Sequence, residues 1–161
     1  VTKETRVGQV SGVTRQRHVE LWHDLLVEAA NKELVRAYTR AVFDLGDVSA
    51  VDRYLAPDFF NHVTGRSGTE DFKRLATELG STERSNVIEF MVAEGNLVVA
   101  FMTITRTVPQ NTTIFGQAIE GGPDQSYTVH HVHIYRVAEG KIREHWALRD
   151  DISMLRQLGA I

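Results

Sequence analysis

The stretch Ala138-Glu139-Gly140-Lys141-Ile142-Arg143-Glu144-His145-Trp146-Ala147-Leu148-Arg149-Asp150, followed by Met154-Leu155-Arg156-Gln157-Leu158-Gly159, decides how this chain folds. A glycine turn opens it, a strand-like run follows, and a short helical segment closes it. Taken as a strand, Ile142 to Asp150 places Ile142, Glu144, Trp146, Leu148 and Asp150 on one face. Ile142, Trp146 and Leu148 are large and apolar, so Asp150 is expected at the inner end of an apolar stripe. A carboxylate there loses water, its pKa rises, and it becomes a stronger base once ionised. The simpler role for Asp150 is to cap the helix beginning near Asp151, although Asp151 could cap as well.

Outward from this stretch, the C-terminal half is β-rich. Ser126 to Val137 and Lys141 to Arg149 form a hairpin around Glu139-Gly140, and Asn86 to Val92 and Leu97 to Thr107 form another around Glu94-Gly95-Asn96. Pro109 to Gln125 reads as a long loop with a short edge strand at Thr113 to Phe115. The N-terminal half is helical. Residues 1–14 form a polar, aperiodic tail, and 15–161 one domain. From Arg15, apolar residues at Val19, Trp22, Leu25, Leu26, Ala29, Leu34, Tyr38, Ala41 and Leu45 follow a helical period as far as Gly46. Asp47 caps a short helix that Pro57 closes, Phe59 to Val63 is a short strand, and Thr69 starts a third helix. Helices followed by antiparallel strands predict an α+β domain.

Composition narrows the function. The 161 residues carry 18 basic and 21 acidic side chains with both signs interspersed, unlike the basic patch of a nucleic-acid binder. The absence of cysteine removes thiol catalysis, disulfides and Cys-ligated zinc. No apolar run reaches bilayer length and no signal-peptide core stands at the N-terminus, so no membrane partner and a cytoplasmic location are expected.

The glycine turn with Lys141-Ile142, then Glu144-x-Trp146, then Asp150 four residues beyond the tryptophan, then Gln157-Leu158-Gly159, resembles the C-terminus of SnoaL-like polyketide cyclases. Tyr54-Leu55-Ala56-Pro57-Asp58-Phe59-Phe60-Asn61-His62 and His130-His131-Val132-His133-Ile134-Tyr135-Arg136-Val137 resemble the same family, and the likeness runs from about Lys32 to the end. The resemblance implies a nuclear transport factor 2-like cone: a strongly curved antiparallel sheet wrapped around N-terminal helices, with a pocket down its axis. It also implies a hydrophobic small-molecule substrate, no metal or organic cofactor, and, by analogy, a homodimer. One departure is Ile119-Glu120-Gly121-Gly122-Pro123-Asp124-Gln125, where relatives carry a Thr-Gly-Lys/Arg element near the pocket mouth.

Candidate chemistry gathers on few residues. Alternation puts His131, His133 and Tyr135 on one face of their strand, with His130, Val132 and Ile134 on the other. In the family the Asn61-His62 region points a polar residue at the ligand, and only one of the two can face inward. Phe60 and Trp146 are expected to wall the ligand, with further apolar volume from Trp22, Phe90, Met91, Phe101, Met102 and Phe115. A His-x-His pair with Asp150 or Glu144 on the partner strand could hold a metal, but no further ligand motif follows. There is no Gly-x-Ser-x-Gly elbow and no phosphate-binding glycine loop.

The reaction the resemblance implies is an intramolecular aldol ring closure. Asp150 would be the general base, His133 or His131 would bind the developing oxyanion, and Asn61 or His62 would orient the substrate. On this reading Asp150→Asn abolishes turnover and spares binding. Epoxide hydrolases of the superfamily need an acid beside an arginine, which Arg136 lacks. Hydroxylation of polyketide rings and a non-catalytic binding module on the same fold are the other readings.

Overall fold

A computed structural model describes residues 10–79 and 83–161. Most of the expected tail lies outside those residues, and helix α1 already runs from Val10 to Tyr38. It continues into a π-helical turn at Thr39–Asp44, which ends before Gly46 at φ 66°. The Asp47 carboxylate then accepts from the backbone N–H groups of Ser49 and Ala50 and caps α2, Val48–Tyr54. Strand β1 is Leu55–Asn61, β2 Arg66–Ser67, and α3 Glu70–Leu79. The long strands follow as β3 Arg84–Glu94, β4 Leu97–Thr107, β7 Ser126–Ala138 and β8 Lys141–Arg149. Helix α4, Asp151–Gln157, closes the chain. Between β4 and β7 the expected single edge strand is a small hairpin, β5 Thr112–Ile114 with β6 Gln117–Ile119.

The main sheet has the order β2-β1-β8-β7-β4-β3. It is mixed rather than wholly antiparallel, because β1 lies parallel to β8. Both expected long hairpins are present, the second turning through Glu139 at φ 53° and Gly140 at φ 69°. Two consecutive positive φ values match the right-handed twist of the flanking strands.

The curved sheet buries its concave face against the helices. Val98, Ala100, Met102 and Ile104 of β4 point inward, as do Val129, His133, Tyr135 and Val137 of β7. They meet Val35, Tyr38, Val42, Ala50, Val51 and Phe72 from the helical layer. Each fully buried aliphatic or aromatic side chain here contributes about 1.5–3 kcal/mol. Among the described residues, only the C-terminal part of α1 joins this core. Its earlier residues Trp22 and Leu26 are 65% and 69% exposed, so Trp22 adds no core volume. Phe90, Phe101 and Phe115 also lie outside the core, and Met102 lies in it.

Strand β8 contains one extra residue. Val137 pairs with Ile142 but Arg136 pairs with Glu144, which leaves Arg143 as a bulge. The bulge reverses the alternation that follows it. Ile142 and His145 therefore share the concave face, and Glu144, Trp146 and Leu148 take the convex one.

Candidate active site

The concave face is not filled to its mouth. A cavity of about 670 Å³ opens between the sheet, α3 and the β4–β7 connection. Its walls include Phe43, Phe72, Leu75, Met102 and Ile104, with polar groups from Asn61, His131, His133, Tyr135 and His145. In the connection, Gly121 sits at φ +62° with Pro109's carbonyl oxygen where a side chain would begin. That close approach demands glycine and explains the Gly121-Gly122 pair without a phosphate site.

Three polar side chains form a chain in the wall. Parallel pairing of β1 with β8 sets Asn61 beside His145, and antiparallel pairing of β7 with β8 sets His133 diagonal to it. Asn61 Oδ1 lies 3.3 Å from His145 Nδ1, and His145 Nε2 lies 2.9 Å from His133 Nδ1. The protons can be assigned from one end. Val63 N–H donates to Asn61 Oδ1 at 3.1 Å, so that atom is the amide oxygen and can only accept. His145 therefore donates through Nδ1 and, being neutral, accepts at Nε2. His133 must donate through Nδ1, which leaves its Nε2 as an unprotonated lone pair. That nitrogen is buried and has no hydrogen-bond partner among the described residues.

Neutrality of these rings follows from burial. His145 is pushed down to about 4, mainly by burial and further by His62. His133 is held well below its ordinary value by burial, then by His145 and His131. His131 is lowered to about 4 by burial and by Arg149, its direct partner on β8. Aromatic neighbours hold the rings in place: Tyr135 stacks 5.1 Å from His145, and Phe72 meets it edge-on at 5.8 Å.

The other expected site residues are placed differently. Asp150 does not lie in an apolar chamber: it is exposed and caps α4, its Oδ1 accepting from Ser153 N–H at 3.1 Å. Hydrogen bonds from Ser153 hold its carboxyl below the usual range, the opposite of the expected rise. The cause is the Arg143 bulge, which carries the Trp146-Leu148 stripe to the convex face before the strand ends. Trp146 is on that face too, stacked at 4.1 Å on His62 and lying 5.7 Å beneath Arg136. His62 is exposed and its Nε2 is 2.8 Å from Glu144, while Phe60 packs edge-on against His62. Thus Asn61, His131 and His133 line the cavity, and His62, Phe60, Trp146 and Asp150 do not.

His145 was not among the expected site residues. Strict alternation from Ile142 puts it outside, and only the bulge turns it in. Glu144 is committed to Arg136 and His62, and among the described residues no three His, Asp or Glu side chains gather as a metal-ligand set.

Comparison with known proteins places this architecture. Residues 32–158 match the family model of the SnoaL-like polyketide cyclase. Nogalonic acid methyl ester cyclase of Streptomyces nogalater is 30% identical over 128 residues, covering 74% of this chain and 90% of that protein. The structure of TsrD from Streptomyces laurentii superposes with a TM-score of 0.69 at 25% identity, over 83% of this chain and 97% of that one. An LEH-like epoxide hydrolase of M. tuberculosis shares the fold at a TM-score of 0.64 and 16% identity, over 81% and 86% of the two chains. The α+β cone is therefore of the nuclear transport factor 2-like type, and the chain belongs to the SnoaL-like polyketide cyclase family.

Proposed function

We propose that this protein is a cofactor-independent cyclase that closes a ring on a polyketide-type substrate by an intramolecular aldol reaction, with His133 rather than Asp150 as the general base. The observation that carries the reading is the Asn61-His145-His133 relay, which ends in a partnerless Nε2 in the wall of a largely apolar cavity.

The chemistry balances on these groups. His133 Nε2 takes a proton from a methylene flanked by carbonyls, and the C–H electrons pass into an enolate. The enolate carbon attacks a second carbonyl of the same molecule, and that oxygen takes the proton back from His133. Substrate and product are isomers. Burial alone makes His133 a weak base, but the enolate supplies the negative charge that an imidazolium lacks there. His145, accepting from His133 Nδ1, stabilises the same imidazolium. His131, centred 5.5 Å from His133 and backed by Arg149, is placed to donate to the enolate oxygen. The cavity's shape supplies proximity, which for a well-held intramolecular reaction is the larger share.

The polar positions that β7 gives to the cavity are Tyr127, His131, His133 and Tyr135, none of them acidic, so the epoxide-hydrolase reading gains no support. A homodimer is proposed through the convex sheet face, where Phe90, Phe101 and His130 stack in a row and Leu148 is 71% exposed. Sedimentation velocity tests it, and a monomer at micromolar concentration refutes it.

The test of the reaction uses nogalonic acid and its methyl ester in parallel, followed by chromatography and mass spectrometry for a product of unchanged mass. His133→Phe should lower turnover by about 10²–10⁴-fold and leave substrate binding near wild type. Turnover at the wild-type rate in that variant would remove His133 from the mechanism.

A further inference from the structure

The polar end of the cavity carries positive charge that the proposed proton transfer does not use. Arg106, the last inward residue of β4 before its end, sits in one row with Arg84 of β3 and Tyr127 of β7. Arg84 and Arg106 are direct cross-strand partners, and like charges so placed repel. Arg106 lines the cavity together with Arg66, Arg74 and Arg149. Arg66 and Arg74 both pair with Asp71, at 3.4 and 2.6 Å, and Arg149 pairs with Asp151 at 3.1 Å.

Arg106 has no carboxylate within ion-pair distance among the described residues. Its bonds go to neutral oxygens: Nη2 donates to Asn86 Oδ1 at 2.7 Å, and Nη1 to the carbonyls of Thr105 and Ser85 at 3.1 and 3.4 Å. A guanidinium has five donors, so N–H groups remain for a ligand. Asp44, whose charge acts on Arg106, accepts from both the backbone and the side-chain N–H of Asn86. It therefore orients the Asn86 oxygen toward Arg106 without pairing with the cation itself.

A half-buried arginine fixed by neutral acceptors, beside a second arginine, is arranged for an anion that arrives from outside. We infer that Arg106, with Tyr127 and Arg149 beside it, forms a carboxylate-binding subsite, so that the substrate of this chain carries a free carboxylate rather than an ester at that end. This rests on the cyclase reading for where the cavity holds its ligand. It goes beyond that reading by naming a charged group and the residue that reads it. Burial lowers the Arg106 pKa, and a bound carboxylate would offset that cost.

The test is calorimetric and needs no turnover. Wild-type protein is titrated with anthraquinone carboxylate and with its methyl ester. The acid should bind at least tenfold tighter, about 1.4 kcal/mol. Arg106→Gln should bind acid and ester alike, with ester affinity unchanged, and Arg106→Lys should keep part of the preference. Arg106→Lys alone decides the matter if Arg106→Gln does not fold, because a lysine cannot keep the full bidentate preference. Equal binding of acid and ester by wild type, no binding of either, or an undiminished preference in the Arg106 variants overturns the inference. His133→Phe separates the two proposals. A His133→Phe protein that keeps wild-type turnover and still prefers the acid would sink the base assignment and leave the anion subsite standing.

Discussion

Acid should unfold this protein through its buried histidines before its carboxylates titrate. His145 is 5% exposed and its pKa falls from the ordinary 6.5 to about 4 in the folded protein. Between those two values the unfolded chain binds a proton that the folded one refuses, so stability decreases as pH falls. The contribution is fully present above pH 6.5 and is lost progressively on the way down to about 4. At about 1.4 kcal/mol per pH unit, that span corresponds to roughly 3 kcal/mol from His145 alone. His133 and His131 shift in the same direction and add to the slope, with His133 coupled to His145 through their shared hydrogen bond. The assay is urea denaturation followed by far-ultraviolet circular dichroism at a series of pH values from 7 to 4.5. The variant is His145→Gln, whose side chain can still accept from His133. Its loss of stability across that range should be smaller than wild type's by roughly 2 kcal/mol, one proton's worth over the span. An unchanged pH dependence in the variant, or a wild-type urea midpoint that does not move, would refute the buried neutral relay.

Asp150→Ala removes the cap of α4 and should lower the melting temperature modestly while turnover stays within about twofold of wild type, since the cap contributes to helix stability and not to the cavity. A collapse of turnover in a folded Asp150→Ala protein would return the base role to that carboxylate. Asn61→Leu removes the acceptor that sets the His145 proton, so both tautomers of His133 become available. Imidazole nitrogen chemical shifts should then show His133 Nε2 partly protonated, with turnover reduced less than in His133→Phe. Shifts identical to wild type would mean that Asn61 does not set the proton order.

What the sequence disclosed were the features written in local chemistry. Gly95 and Gly140 mark the two hairpins, Asp47 marks a helix start, and β4 alternates cleanly into the core at Val98, Ala100, Met102 and Ile104. The parallel pairing of β1 with β8 was hidden, because it joins segments some eighty residues apart and no turn announces it. The exposed apolar residues of α1 misled in another way. Val19, Trp22 and Leu26 keep a helical period but are exposed, so the period reports a face without saying whether anything covers it.

The site was half legible, and the missing half turns on Arg143. Its side chain is held by Asp58 and Glu139 on the solvent side, which keeps the bulged residue outside while the strand resumes one step out of phase. An apolar stripe of Ile142, Trp146 and Leu148 therefore counts for less than it promises. Trp146 satisfies its faces on the convex side between His62 and Arg136, and the inward position beside it goes to an imidazole. A histidine in that place loses solvation and must find partners. Among the described residues His145 finds two, Asn61 and His133, but His133 finds only one. A buried polar chain closed at one end and open at the other is unfavourable for stability alone, since the last nitrogen loses its water without a replacement. A ligand that hydrogen-bonds the open end offsets that cost, and His133 Nε2 belongs to the wall of the 670 Å³ cavity, where such a ligand can reach it.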